Sequence, residues 1–317
     1  MTESVSSNRP SPRSIALAFA AVYLIWGSTY LGIRIAIESM PPMLMSAVRF
    51  TIAGLILLAV TRFRGTHKER LTARQWRDAV VIGGCLLLGG NGIVSWGEQY
   101  VGSGYMALIV ATVPLWMALL APLFGGRRVG IISAVGVGVG LAGVGLLVHP
   151  GAAAMSWQSV AVLGSPLLWS IGSLYAQRAA MPRNALTATG MEMVAGGALL
   201  GIVGLAAGEL GRVHPGSITG SSWIAFVYLI LFGSLVGYTS YIWLLGKVSG
   251  TAVSTYAYVN PLVAVALGAI VLGESISPVT LGAGAMIVFA VALILSGRML
   301  ARRRPDRPAA STIRDVA

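Results

Sequence analysis

Ten stretches of about 20 residues, almost free of charged side chains, recur along this 317-residue chain. They fall at about 15–37, 42–62, 78–97, 103–124, 130–148, 158–179, 185–208, 221–244, 251–272 and 278–298. At 1.5 Å per residue a helix of that length crosses a hydrocarbon core of about 30 Å. Inside such a core every backbone N–H and C=O must be bonded within the protein, so a spanning segment is a helix or part of a closed barrel. No apolar/polar alternation of period two is present, which excludes the barrel. Charged residues make up only 10% of the chain, against about 25% in soluble domains. The fold class that follows is an all-α membrane protein of ten transmembrane helices. Connections are short. Only the ends, 1–13 and 300–317, rich in Ser, Pro and Arg, read as unstructured tails.

A formal charge of +12 raises the question of a nucleic-acid partner, but the basic residues flank the apolar stretches instead of forming a domain of their own. Nineteen of the 22 Lys and Arg residues fall on one side of the ten spans: in both tails and at 62–77, 127–128, 178–183, 247 and 298. Arg212 alone falls on the other side, and Arg34 and Arg49 lie inside spans. Cytoplasmic loops carry the excess of basic residues, so both termini are expected in the cytoplasm and the chain in an inner membrane. The first span follows Arg9 and Arg13 as a signal peptide would. It is too long for one, and it has a counterpart in the second half.

That counterpart belongs to an internal repeat. Shifting the chain by 143 brings Trp26 onto Trp169 and Gly54 onto Gly197, and Met40-Pro41 nearly onto Met181-Pro182. Shifting it by 147 brings Trp76 onto Trp223, Gly90 onto Gly237, Trp96 onto Trp243, Pro114 onto Pro261 and Gly126 onto Gly273. The change of offset falls in the loop after the second span. The expected division is a tail (1–13), a first repeat (14–150), a second repeat (156–299) and a tail (300–317). Five spans per repeat is an odd number, so the second repeat enters the membrane from the opposite side. Inverted repeats of this kind are common in secondary transporters, with the substrate site near the midplane between them.

Three blocks agree, in order, with one family: WGSTYLGIRIAIESMPPMLMSAVRF (26–50), SWGEQYVGSGYMALIVATVPLWMALL (95–120) and YVNPLVAVALGAIVLGESISPVTLGAGAMIVFAVALIL (258–295). Over residues 14–298 the chain resembles the EamA family of the drug/metabolite transporter superfamily, the YedA-like exporters most. The resemblance implies a ten-helix carrier that moves amino acids, aromatic metabolites or drug-like compounds out of the cytoplasm. The family often has Gly-Glu after the fourth and ninth helices; here Gly273-Glu274 keeps it, whereas the first copy reads Gly126-Arg127.

Polar residues inside spans face other helices or a water-filled cavity, and spacings of three and four place them on shared faces. Such faces are Tyr23, Trp26, Tyr30 and Arg34; Asn91, Ser95 and Glu98; Tyr105, Thr112 and Trp116; Trp169, Ser173 and Gln177; Ser234, Tyr238 and Tyr241; and Thr251, Thr255 and Tyr258. The fifth and tenth spans are apolar and glycine-rich. Helices 1–4 and 6–9 are therefore expected around a cavity lined by Trp26, Tyr30, Arg49, Asn91, Tyr105, Thr112, Trp116, Trp169, Ser173, Tyr238, Tyr241, Thr255 and Tyr258, with helices 5 and 10 outside it. Aromatic faces with hydroxyls suit aromatic or amphipathic cargo and cations. Trp76, Trp157 and Trp223, at span edges, read as interfacial anchors.

Arg49 and Glu192 occupy the same repeat position but enter from opposite faces, which leaves them about 10 Å apart in depth within a core of about 30 Å. Glu192, an acid deep within a span, is the proton-coupling candidate. Arg34 is expected to pair with Glu38. Pro114 and Pro261 are candidate hinges, since proline removes one helical hydrogen bond.

Other functions find little footing. Cys85 is the only cysteine and the three histidines are scattered, so no disulfide framework, metal site or cofactor is expected. Gly138, Gly140 and Gly143 form a G-x-G-x-x-G, but mid-membrane and with no strand before it, which reads as helix packing and not dinucleotide binding. No phosphate-binding G-x-x-x-x-G-K-[ST] loop is present. A membrane-embedded enzyme would need converging acids or histidines, and a channel fits an aromatic interior poorly. The expected partners are a small-molecule substrate and the bilayer, with no nucleic acid.

Overall fold

The computed structural model describes residues 11–64, 70–125, 130–148, 157–245, 247–248 and 256–303. Eight helices there are long and apolar enough to span a membrane, and two shorter ones are equally apolar. In chain order they are α1 (Pro12–Ala36), α2 (Pro42–Phe63), α3 (Ala73–Gly97), α4 (Ser103–Phe124), α5 (Ile131–Val148), α6 (Trp157–Ala176), α7 (Ala185–Ala206), α8 (Gly220–Leu245), α9 (Tyr256–Leu272) and α10 (Pro278–Arg303).

Local chemistry sets many of the ends. Ser11, Asn184 and Thr219 cap α1, α7 and α8 by accepting free backbone amides, and Thr72 and Gln75 form a reciprocal capping box on α3. Gly125 and Gly273, at φ 61° and 65°, close α4 and α9 with the left-handed turn that glycine adopts without strain.

Four helices depart from the uniform spans expected. The centres of α3 and α8 are π-helical, over Gly84–Gly92 and Leu229–Gly237; such bulges frequently mark functional sites. Helix α4 breaks between Val110 and Val113, just before Pro114, which lacks an N–H to bond back along the helix. The Val113 carbonyl also accepts the Ser170 hydroxyl of α6 at 3.1 Å. Helix α6 is itself interrupted between Ala161 and Gly164. Pro261, by contrast, sits inside a continuous α9.

The most extensive pairings are α2 with α7 and α5 with α10. Both run antiparallel through small residues: Leu44 meets Gly204, Thr51 meets Gly197 and Gly54 meets Gly190. On the other pair Ser133 meets Gly297, Gly136 faces Leu293, and Gly143 faces Ile287. Close backbone approach through glycine is how membrane helices gain packing without a hydrophobic driving force, and Gly140 and Gly143 of α5 serve that purpose. The remaining contacts form a matched set: α1 lies on α8 and α9, and α6 lies on α3 and α4.

Candidate functional site

Between these helices lies a cavity of about 90 Å³ whose wall takes residues from α1–α4 and α6–α9 and none from α5 or α10. It is well below the roughly 300–1,000 Å³ of pockets that enclose drug-sized ligands. The helices must part before cargo of that size can enter.

Two tryptophans organise it. Trp26 of α1 lies against Gly237 of the α8 π segment, where an added Cβ would sit 2.7 Å from the indole Nε1; that nitrogen donates to the Gly233 carbonyl at 3.3 Å. Trp169 of α6 lies against Gly90 of the α3 π segment, where an added Cβ would sit 2.6 Å from Cε3. The Gly90 carbonyl accepts from the Ser165 hydroxyl, also on α6, at 3.1 Å. Each indole thus fills a recess that a missing side chain leaves in the opposite half.

Around Trp26 the wall is aromatic. Tyr241, Tyr256 and Tyr238 stand 5.0, 5.3 and 6.2 Å from it between ring centroids, spacings typical of favourable edge and offset contacts. Asn260 is assigned the rotamer that points its amide nitrogen at the carbonyls of Tyr23 and Tyr256, 3.2 and 3.3 Å away. Arg49 is 4% exposed. Its Nε donates to the Ser234 hydroxyl at 2.9 Å and its guanidinium lies over the Phe50 ring, while Nη1 is buried with no acceptor among the described residues.

Trp26, Tyr30, Arg49, Asn91, Trp169 and Tyr238 line the cavity. Tyr241 stands behind that wall, packed on Trp26 and Tyr238. Tyr105, Thr112, Trp116 and Ser173 do not line it. The break in α4 turns Val110 and Val113 inward instead, leaves Tyr105 packed on an apolar cluster, and leaves Trp116 half-buried. The Thr112 and Ser173 hydroxyls bond the carbonyls of Ile109 and Trp169 on their own helices. Thr255 and the side chain of Tyr258 lie outside the described residues, as does the Gly126-Arg127 pair; α9 contributes Tyr256 and Asn260.

Arg49 and Glu192 form no ion pair among the described residues. Glu192 instead accepts the Tyr238 hydroxyl at 3.2 Å, in keeping with their difference in depth. Nor does Arg34 pair with Glu38: its guanidinium turns inward and donates to the main-chain carbonyl of Glu98. Elsewhere, Glu274 accepts the backbone amides of Ser103 and Gly104 at the start of α4 (2.8 and 3.2 Å), and Glu209 those of Leu44 and Met43 at the start of α2 (2.8 and 3.3 Å). No group of three metal-ligating side chains occurs among the described residues.

A helical membrane protein with a central cavity shared by two matched sets of helices has the architecture of a carrier. The EamA-like transporter family matches residues 13–149 and again 156–296, and the chain belongs to that family. It is a transporter. It is 40% identical to the inner membrane transporter YedA of Escherichia coli (strain K12) over 290 residues, which is 91% of this chain and 92% of that one. It is 27% identical to a probable terminal-alkyne amino-acid exporter of Streptantibioticus cattleyicolor, covering 90% and 95% of the two chains. A crystal structure at 22% identity superposes with a TM-score of 0.62 over 92% of this chain and 99% of that one, which shows the shared fold.

Proposed function

We propose that this protein is a secondary exporter of small organic molecules, working by alternating access in an inner membrane with both termini in the cytoplasm. The observation that carries the reading is the cavity shared by both halves, with Trp26 and Trp169 in equivalent recesses. The two segments 14–150 and 156–299 act as inverted repeats, and exchanging their conformations opens the cavity first to one face and then to the other. Antiparallel packing of α2 on α7 and of α5 on α10 supports this. Pro114 and Pro261 are its hinges.

Cargo for such a site has an aromatic or apolar body, held by the Trp26 and Tyr238 rings, and a polar head that accepts from Arg49 Nη1. Amino acids with aromatic side chains and amphipathic drug-like compounds fit that description, and the name of the amino-acid exporter at 27% identity agrees with it. Thr112, Trp116, Tyr105, Ser173, Tyr241, Thr255 and Tyr258 join the lining as the helices move. Glu192, bonded to Tyr238 on the cavity wall, is positioned to couple a proton to the cycle.

The experiment is counterflow of labelled L-phenylalanine in proteoliposomes, beside a growth screen of an expressing strain against amino acids and toxic amines. Saturable counterflow supports the carrier; an ohmic current would make it a channel. In the Glu192→Gln variant, loss of the response to an imposed pH gradient with exchange intact supports coupling there, and an unchanged response removes it. A reporter active only in the periplasm, fused after Ala317, should be silent.

A further inference from the structure

Glu98 ends α3 as its C-terminal cap residue. It lies four residues past Val94 and seven past Asn91, both on the cavity wall, so it continues their face of the helix by one turn. Its exposure is 0%, and neither carboxyl oxygen has a hydrogen-bond partner among the described residues. Val94, one turn before it, belongs to a buried apolar cluster with Ile33, Met40, Met45, Val101, Met106 and Ile230.

The other buried and half-buried acids show what a carboxylate receives in this fold: Asp78 takes the Arg77 guanidinium, the Tyr175 hydroxyl and the Ala180 amide. Glu209 and Glu274 each take two backbone amides at a helix N-terminus, where the helix dipole also favours negative charge. Glu192 takes a tyrosine hydroxyl. Glu98 takes nothing among the described residues, although cations are near. Arg34 spends a guanidinium N–H on the main-chain carbonyl of Glu98 and makes no ion pair with the carboxyl. Arg49 is held by Ser234 through Nε. The remaining charged or titratable neighbours are Tyr30 on α1 and Glu274 beyond α9, the second an added negative charge. The short helix Trp157–Ala161, packed against the end of α3, brings no titratable group. An ionised carboxylate with no hydrogen bond among apolar side chains is strongly disfavoured, and the usual resolution is that it holds a proton.

We propose that Glu98 is a proton-binding site of the transport cycle, protonated while this end of the cavity is closed and deprotonated when it opens to water. Closing the apolar cluster over the carboxyl requires the proton to be taken up first. Opening hydrates the group and frees it to ionise, with Arg34 and Arg49 near enough to balance the charge. One proton bound and released per cycle ties the movement of this gate to the pH on its side of the membrane. The proposal rests on the transporter reading, but proton occupancy can be measured without any cargo.

The test is infrared spectroscopy of the purified full-length protein, following the carbonyl stretch that only a protonated carboxylic acid shows. At neutral pH the wild type should show such a band, shifted in heavy water, kept in Glu192→Gln and lost in Glu98→Gln. Spectra of Glu98→Gln that superimpose on the wild type overturn the proposal. Should the Gln variant fail to purify as a folded protein, Glu98→Asp retains an acid: its band should move, and an unmoved band overturns the proposal equally. In proteoliposomes with labelled L-phenylalanine, Glu98→Gln should lose at least tenfold of gradient-driven flux while keeping exchange; retained gradient-driven flux overturns the coupling role. If the wild type does not move L-phenylalanine at all, that choice of cargo falls and the infrared result stands.

Discussion

The walls around Trp26 and Trp169 share one construction and differ in chemistry. Both indoles rest on a glycine of a π segment, Gly237 or Gly90, in the other half of the molecule. Around Trp26 stand Tyr238, Tyr241, Tyr256 and Asn260. The offset of 147 that aligns the two glycines maps these four onto Asn91, Val94, Ile109 and Val113, a wall with one amide and no aromatic ring. The duplicated part is backbone geometry: a widened helix turn with no side chain, filled by an indole. The part that diverged decides what the cavity holds. A carrier that exchanges two conformations needs the first to be equivalent in both halves, whereas recognition of an asymmetric cargo needs the second to differ.

The largest effect should come from breaking what the walls share. Leucine at Gly90 or at Gly237 puts a branched side chain where even a Cβ comes within 2.6 or 2.7 Å of an indole. Overpacking of this kind costs about 1–3 kcal/mol, enough to change cellular abundance several-fold. Both variants should lose transport, and both should fall in abundance on a quantitative immunoblot. If one glycine tolerates leucine and the other does not, the recesses are not equivalent.

Alanine at the tryptophans should separate the walls. Trp26 has three tyrosine rings within about 6 Å, and aromatic pairs contribute about 0.5–1.5 kcal/mol each beyond their buried area. Trp169 has no ring partner among the described residues. Trp26→Ala should therefore reduce L-phenylalanine counterflow by about tenfold, equivalent to about 1.4 kcal/mol, and Trp169→Ala by less. Abundance should fall more for Trp26→Ala than for Trp169→Ala, so counterflow is read per amount of folded protein. Equal losses would mean that the aromatic wall is not the one that reads cargo.

Much of this comparison is legible in the sequence, because it lies in large-scale regularities. The spans follow from runs of apolar residues, the repeat from Trp26, Trp169, Gly90 and Gly237, and the exclusion of α5 and α10 from their lack of polar faces. What escapes is local. A π bulge leaves no mark on apolar periodicity, so nothing in the sequence marks Gly233 as lining, whereas Ser234 already shares a polar face with Tyr238 and Tyr241. The break in α4 defeats any face drawn on a straight helix, which is why Val110 and Val113, not Thr112 and Trp116, meet the cavity. Glu98 falls in sequence on a polar face with Asn91 and Ser95, but its complete burial is a tertiary feature that no single helix face shows. The signal was present all the same, in its register with Asn91 and Val94.

The smallest expected difference lies within the aromatic wall, and it tests whether the tyrosine hydroxyls or only their rings matter there. Tyr238 donates to Glu192 at 3.2 Å; removing that hydroxyl leaves the carboxyl without its one protein donor among the described residues. Hydrogen bonds of this kind contribute about 0.5–1.5 kcal/mol net, and more where a charged or buried partner is left unmatched. Tyr241 packs on Trp26, Tyr238 and Tyr256 through its ring, contacts that phenylalanine preserves. Tyr238→Phe should therefore lower thermal stability in detergent measurably and alter the pH dependence of L-phenylalanine exchange. Tyr241→Phe should match the wild type in stability to within about 0.5 kcal/mol and leave the pH dependence unchanged. If the two variants behave alike, the Tyr238–Glu192 contact has no part in the cycle, and the asymmetry between the walls reduces to the shape of the rings.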